Sequence, residues 1–238
     1  MSLQKLPILL AVAPILGKAY TPPVSPKRDE KVKPSGLERF FGQWAEQFTA
    51  FFKITHAVSC LIEASLILAH HAPHYALSQQ ILSIFSQPDS RGVSRINITP
   101  SFLLGSALAL GSSQLRFACY RIMGRLFTFQ LSLRSGHRLI TDGPYAFVRH
   151  PAYTGLIMLM MSEAMIQWGQ GSWLRECGWL NTVLGKTYFV LSVGTMILAS
   201  VVVVRRTVTE DKFMKDRFGD EWMQWAKKTP KRLIPGIF

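Results

Sequence analysis

Apolar residues run along this chain in long blocks separated by basic, turn-rich segments. The first block, Leu3 to Ala19, contains Pro7 and Pro14 and reads as a short retained span, because its flanks lack a basic start and a small-residue cleavage site. Four prolines (Pro22, Pro23, Pro26 and Pro34) and four cations (Lys27, Arg28, Lys31 and Lys33) then mark a basic linker. From Leu37 to Phe52 the pattern is helical. Leu37, Phe40, Phe41, Trp44, Phe48, Phe51 and Phe52 share one side, which predicts an interfacial helix lying on a membrane. Further spans are expected at Ile54–Ala69, Phe102–Tyr120, Ala152–Trp168 and Tyr188–Val204. The weak apolar patch Ala76–Phe85 is too short to span and predicts a re-entrant or interfacial turn. The chain from Arg205 onward predicts a polar tail, helical to Lys228 and stopped by Pro230 and Pro235.

The expected fold is therefore all-α: a polytopic integral membrane protein of about five transmembrane helices, with a cytosolic catalytic loop and a C-terminal helix. Its expected organisation is an N-terminal span, linker and interfacial helix over 1–53, membrane helices two and three over 54–118, and a core over 119–238. Composition agrees with this. Hydrophobic residues make up 48% of the 238 and charged residues 17%, more apolar than an ordinary soluble domain. The formal charge of +13 fits basic cytosolic loops, and runs of spanning length favour that over nucleic-acid binding. The basic segments Lys18 to Lys53, Arg121 to Arg149 and the tail from Arg205 fall on one side of a five-span chain. Cys60, Cys119 and Cys177 are isolated, so neither a disulfide framework nor a zinc site is expected; they read as buried thiols. Glu63 and Glu163 lie inside spans. An ionisable group at that depth is a functional candidate, but the plainer role for Glu63 is a hydrogen-bonded acid facing other helices. Arg116, near the end of its span, is expected to snorkel to the interface. Gly105, Ala107, Ala109, Gly111, Ser112 and Ser113 give the same span a small-residue face for close packing.

Polar chemistry concentrates between Gln130 and Gly155. Thr141-Asp142-Gly143-Pro144 is turn-forming. Pro151 holds His150 extended and suits the first turn of a helix, so His150 stands at a helix N-terminus whose free N–H groups attract anions. Tyr145 lies just upstream, and Tyr153 and Gly155 follow on the first turn, where a glycine admits close approach of a ligand or a backbone. Beyond the last span, Arg206 and Glu210 are four apart and share a helix face. Alone they would be an ordinary surface pair; beside the loop they read as a grip for the opposite charges of a ligand.

The run Gly143-Pro144-Tyr145, Arg149-His150-Pro151-Ala152-Tyr153-Thr154-Gly155, then Arg206, Glu210-Asp211, Phe218-Gly219 and Trp222, resembles the isoprenylcysteine carboxyl methyltransferase family from about Cys119 to Phe238. Gln130, His137-Arg138-Leu139-Ile140 and the Arg206/Glu210 spacing favour that family over others with similar loops. The resemblance implies a membrane enzyme of the endoplasmic reticulum, C-terminus cytosolic. It would methylate the C-terminal prenylcysteine carboxylate of processed CaaX proteins, with S-adenosyl-L-methionine as methyl donor. By the same resemblance the cofactor contacts fall on Gln130, the His137 to Ile140 strand (His137, Arg138, Leu139 and Ile140), Tyr145, the His150, Pro151, Ala152 and Tyr153 helix start, and Glu210. Arg206 would be the catalytic and substrate-binding residue, meeting the substrate carboxylate. Prenylated proteins or prenylcysteine lipids and membrane lipid are the implied partners; no metal and no nucleic acid are expected. Two positions depart from the family: Glu210-Asp211 where Glu-Glu is frequent, and Gly169-Gln170 where Asn-Pro is frequent.

A C-terminal carboxylate, with an unperturbed pKa of roughly 3.5, is already ionised at neutral pH, so its methylation needs positioning and desolvation rather than a base. Phospholipid N-methylation is the nearest alternative, but its amine acceptor gains nothing from a neighbouring arginine. A sterol-reductase-like enzyme shares the Pro-rich end, Leu233 to Phe238. An inactive membrane scaffold would explain the basic loops by attraction to anionic lipid, though not the gathering of polar residues at one helix start.

Overall fold

The computed structural model describes residues 3–23, 37–127, 138–234 and 236, with the side chains of the second helix described from Trp44 onward. The described residues form eight α-helices and no strand: α1 Lys5–Tyr20, α2 Leu37–His71, α3 Ala76–Phe85, α4 Pro100–Met123, α5 Pro151–Trp168, α6 Trp173–Glu176, α7 Val183–Phe218 and α8 Asp220–Lys228. The all-helical expectation holds. Trp44–His71 and Val183–Phe218 are long and apolar enough to cross a membrane, with mean hydropathies of 1.5 and 2.2. The other three expected spans fall on α1, α4 and α5.

One boundary differs from expectation. The interfacial helix and the second span are one 35-residue helix, α2. Nothing between Lys53 and His71 breaks a helix, since the stretch holds no proline or glycine. Its threonines bond back to the helix, Thr49 Oγ1 donating to Ala45 O (3.1 Å) and Thr55 Oγ1 to Phe51 O (2.8 Å). Beyond Val204 the chain stays helical to Lys228, as expected of the tail, with one break at Gly219. Helix α7 continues for 36 residues to Phe218 and is closed by Gly219, whose positive φ of 52° ends it before α8. At 1.5 Å per residue α7 is roughly 54 Å long, while a hydrocarbon core is about 30 Å thick. Its polar part from Arg205 therefore projects beyond the apolar stretch.

By contacts the chain forms two compact units. The first comprises Met1–Gly17, Phe51–Gly111 and Met158–Met196. Some of its buried polar groups pair with one another. Lys5 pairs with Glu63 (2.5 Å) and donates to Gly171 O (2.8 Å), while the other Glu63 oxygen accepts from Trp173 N (3.0 Å). Glu63 is thus the hydrogen-bonded acid expected of its plainer role. Glu163 accepts from Gln167, which accepts in turn from Tyr188 Oη at 2.6 Å. Gly105 lets α4 lie against α5, because a Cβ there would stand 3.0 Å from Met165 and Ile166, a contact of the kind its small-residue face predicts.

The second unit comprises Lys18–Ala50, Ser112–Ile157 and Ile197–Phe238. One core gathers Cys119, Tyr120, Leu126, Phe127, Ile140, Tyr145 and Ala152; another joins Ala45, Val202 and Val203 to Tyr153, Leu156 and Ile157. All three cysteines are free and buried, as expected. Arg116 departs from expectation. It does not snorkel: it is 1% exposed and turned inward, because its guanidinium finds carbonyl and hydroxyl partners there.

Candidate functional site: the start of α5 and the polar end of α7

The site is built on a turn. Gly143 opens a single 3-10 turn, Gly143–Ala146, with φ +60°, and a Cβ there would collide with Ile122. Only glycine meets both conditions without strain. The turn sends Tyr145 into the core, where its hydroxyl donates to Met123 Sδ (2.8 Å) and its carbonyl accepts from Trp225 Nε1 (3.2 Å). Arg149 and His150 follow in non-helical backbone, and Pro151 begins α5.

The C-terminal segment lies along this stretch. Arg149 N donates to Lys231 O (2.9 Å), His150 N to Arg232 O (2.8 Å) and Thr154 Oγ1 to Leu233 O (2.6 Å). Arg149 Nη1 also donates to Thr229 O (2.9 Å) and Pro230 O (2.7 Å). The amides of Arg149 and His150, just before the helix start, are therefore satisfied by this strap.

Two acids from α7 meet the strap and the start of α5. Asp211, 6% exposed, is the hub. It accepts from Arg149 Nε and Nη2 (3.0 to 3.2 Å), from Arg232 Nε (2.8 Å), and faces His150 Nε2 at 3.0 Å. Glu210 faces His150 Nδ1 at 3.5 Å, accepts from Tyr153 Oη at 2.6 Å, and pairs with Arg206 Nε at 2.6 Å. The four-residue spacing of Arg206 and Glu210 thus makes the i,i+4 contact it implies. Arg206 is 1% exposed, so this is not the ordinary surface pair. The His150 and Tyr153 rings stack, with centroids 5.8 Å apart.

Opposed nitrogens fix the charge state of His150. An imidazole facing an acid at each nitrogen donates from both, which requires the protonated form. Burial on its own lowers the His150 pKa, but the hydrogen bonds to Asp211 and Glu210 and their charges outweigh it and raise the pKa above its ordinary value. Burial likewise disfavours the ionised acids, and the cations win again. Arg206 and His150 hold Glu210 down at about 2, and His150, Arg232 and Arg149 hold Asp211 below the usual carboxylate range. The cluster therefore sets four cations, Arg149, His150, Arg206 and Arg232, against two acids. That surplus of positive charge suits an anionic ligand.

The structure brings His150, Tyr153, Arg206 and Glu210 together, with Pro151 and Ala152 beneath them on the first turn of α5. The Tyr145 side chain lies within electrostatic reach of Glu210 and Tyr153 while its hydroxyl bonds to Met123, and Leu139 and Ile140 turn apolar side chains inward. All three are buried, Tyr145 and Ile140 within one apolar core, because the turn at Gly143 aims Tyr145 inward. Arg138 is exposed, and residues 138–140 are irregular chain rather than strand. Gln130 and His137 lie outside the described residues. Sequence reasoning gave no role to Arg149, Asp211 or Arg232. The first two stand in the quoted motif, which was the available signal; nothing local marks Arg232.

The described residues thus combine an all-helical fold, two helices long and apolar enough to cross a membrane, and a buried cluster on the polar part of α7 in which cations outnumber acids. Residues 105–171 match the model of the isoprenylcysteine carboxyl methyltransferase (ICMT) family. The chain is 30% identical over 101 residues to the protein-S-isoprenylcysteine O-methyltransferase of Schizosaccharomyces pombe, covering 42% of this chain and 35% of that one. It is 26% identical over 113 residues to protein-S-isoprenylcysteine O-methyltransferase B of Arabidopsis thaliana, covering 45% and 46%. A delta(14)-sterol reductase of Mus musculus is 23% identical over 104 residues, covering 44% of this chain and 21% of the reductase. The chain thus spans less than half the length of these relatives. The family resemblance drawn from the motifs is borne out; the family match ends before Arg206 and Glu210.

Proposed function

We propose that this protein is a membrane methyltransferase of the endoplasmic reticulum that esterifies the C-terminal prenylcysteine carboxylate of processed CaaX proteins, its C-terminus facing the cytosol. The observation that carries the reading is Arg206. It is a buried arginine on the polar continuation of α7, paired to a carboxylate at 2.6 Å within a cluster where cations outnumber acids. Such a group orients a carboxylate through parallel hydrogen bonds. An amine acceptor, as in phospholipid N-methylation, would be repelled by it.

S-adenosylmethionine fits the donor set. Glu210, on the partly accessible side of the cluster with 19% of its side chain exposed, is an acid suited to an ammonium group or a ribose hydroxyl. His150, Pro151, Ala152 and Tyr153 give the neighbouring helix turn, and Gln130, His137, Arg138, Leu139, Ile140 and Tyr145 would contribute from the preceding segment, Leu139 and Ile140 by backbone groups. Bound there, the cofactor supplies an electrophilic methyl group on a sulfonium. The protein's own part is to hold the acceptor carboxylate at near-attack distance through Arg206 and to keep water away from it. No residue need remove a proton, because the carboxylate is ionised at neutral pH. The prenyl chain stays in lipid beside α7, where Ile197, Leu198 and Val201 are exposed.

The test is label transfer from S-adenosylmethionine to N-acetyl-farnesylcysteine by purified protein. A base-labile methyl ester is the expected product. Cofactor binding with no ester formed would refute the carboxyl methyltransferase reading and favour a phospholipid acceptor.

A further inference from the structure

Arg116 is a second buried arginine of the unit that holds the site, and it uses different partners. Its Nε donates to Ala19 O at 2.6 Å, its Nη1 to Ala152 O at 2.8 Å and its Nη2 to Tyr120 Oη at 2.6 Å. Tyr120 Oη in turn donates to Ala19 O at 2.6 Å. Ala19 lies in the last turn of α1, where carbonyls lack helical partners and carry partial negative charge. Ala152 lies in the first turn of α5. The side chain reaches it because residue 155 is glycine: a Cβ on Gly155 would stand 2.7 Å from Arg116 Cγ and 3.3 Å from Ser112 O. The expectation that Gly155 admits a close neighbour is met, and the neighbour is the stem of Arg116 and the α4 backbone.

We propose that Arg116 is a positioning residue for the site, fixing the first turn of α5 by holding the Ala152 carbonyl between the end of α1 and the body of α4. The reasoning is geometric. The carbonyl of Ala152 and the N–H of Tyr153 belong to one planar peptide unit. Fixing that plane sets the direction in which Tyr153 leaves the backbone, and the Tyr153 hydroxyl donates to Glu210 at 2.6 Å. His150, whose carbonyl accepts from Tyr153 N at 3.1 Å, is tied to the same plane. The restraint therefore passes from Arg116 through one peptide unit to both rings that face the α7 acids. A planar guanidinium can span three oxygens in different directions at once; an ammonium on a flexible stem cannot hold the same fork. The proposal rests on reading the start of α5 as part of the cofactor site.

The experiment compares Arg116→Met and Arg116→Lys with Lys5→Met, which removes the buried cation of the other unit. Two readouts are taken: KM for S-adenosylmethionine and for N-acetyl-farnesylcysteine, and amide hydrogen exchange of the peptide covering residues 150–157. Arg116→Met is expected to raise the cofactor KM about 10-fold while changing kcat and the prenylcysteine KM less than about 3-fold, and to speed exchange in that peptide. Arg116→Lys is expected to fall between it and the native protein. Lys5→Met is expected to lower thermal stability and leave both readouts alone. Native kinetics and exchange in folded Arg116→Met would overturn the proposal, as would a loss shared equally with Lys5→Met. If Arg116→Met does not fold, Gly155→Ala displaces the arginine stem in the same direction, and an unchanged cofactor KM and unchanged exchange there overturn it equally. If the native protein transfers no methyl group, the functional reading fails by itself, and the exchange comparison still decides the positioning role.

Discussion

Replacing Asp211 by Asn would remove the charge around which the site is assembled. Asp211 takes two donors from Arg149, one from Arg232 and one from His150. The amide keeps the volume and one acceptor oxygen, but turns an N–H toward groups that themselves donate. Arg149 retains Thr229 O and Pro230 O, so it is not left bare. Removing one partner of a buried ion pair costs about 3–5 kcal/mol, and the retained bonds place this case near 3 kcal/mol at the low end of that range. For a chain of this length each kcal/mol moves the midpoint by about 2–4 °C, so the expected drop in Tm is about 6–12 °C. Intrinsic fluorescence during thermal unfolding in detergent reads it, since Trp222 packs over the Arg149 guanidinium at 5.9 Å and Trp225 donates to Tyr145 O. Asp211→Glu keeps the charge and should stay much nearer the native midpoint. A Tm for Asp211→Asn within 2 °C of the native value, set about that tightly because surface substitutions seldom cost more, would refute the hub assignment.

Stability should also depend on pH in a definite direction. His150 has a raised pKa, so its contribution is complete below its ordinary value of 6.5 and is lost as pH rises through the raised one; Glu210 and Asp211 have lowered pKa values, so theirs is complete above the usual carboxylate range and is lost only as pH falls, through about 2 for Glu210. His150→Gln is therefore expected to abolish the alkaline fall in a Tm-against-pH profile while leaving the acid side, and an unchanged alkaline limb would count against the charged imidazole. Arg206→Ala should lower kcat on N-acetyl-farnesylcysteine by at least about 100-fold with a smaller effect on cofactor affinity, and Glu210→Ala should do the reverse; native kinetics in both would remove the site. Thr154→Val deletes the bond to Leu233 O and should cost about 1 kcal/mol, visible as faster proteolysis after residue 228; protease resistance equal to the native chain would mean that the strap is held elsewhere.

Helix identity and the pairing of Arg206 with Glu210 were legible because both follow from short periods along one chain. Spacing of four on a helix fixes a shared face whatever the rest of the molecule does. Pro151 marked the start of α5 for an equally local reason. The join between the interfacial segment and the second span was less legible. Lys53 looks like a boundary by polarity, yet polarity does not stop a helix when backbone bonding continues and the side chains reach water or bond back along the helix. The direction of a side chain off an irregular turn was not legible at all. Tyr145 was assigned to the ligand by the family resemblance, and the pattern of residues around it did not show that its side chain is buried. The strap was hidden for a different reason: Arg149 meets carbonyls some eighty residues away, and no local pattern encodes that distance.

Arg116 and Arg206 are both about 1% exposed, yet their partners assign them different work. Arg116 ends on two carbonyls and a phenol, none of which can leave without stranding a buried charge. Its bonds are therefore part of the frame. Arg206 ends on Glu210, a carboxylate on a flexible side chain with part of its surface open. On the proposed function, a second carboxylate arriving from the substrate would take the place of Glu210 at Arg206 Nε, while Tyr153 Oη and His150 Nδ1 remain to hold the displaced acid. Exchange of like for like costs far less than exposure of an unpaired charge. The surplus of cations in the cluster keeps the newcomer's charge balanced while both acids are present. On this reasoning the buried arginine that already holds a carboxylate is the one that can receive another, and Tyr153→Phe, which removes one of the two retaining bonds on Glu210, should weaken binding of the prenylcysteine as well as of the cofactor. An effect of Tyr153→Phe confined to the cofactor would argue that Glu210 does not move.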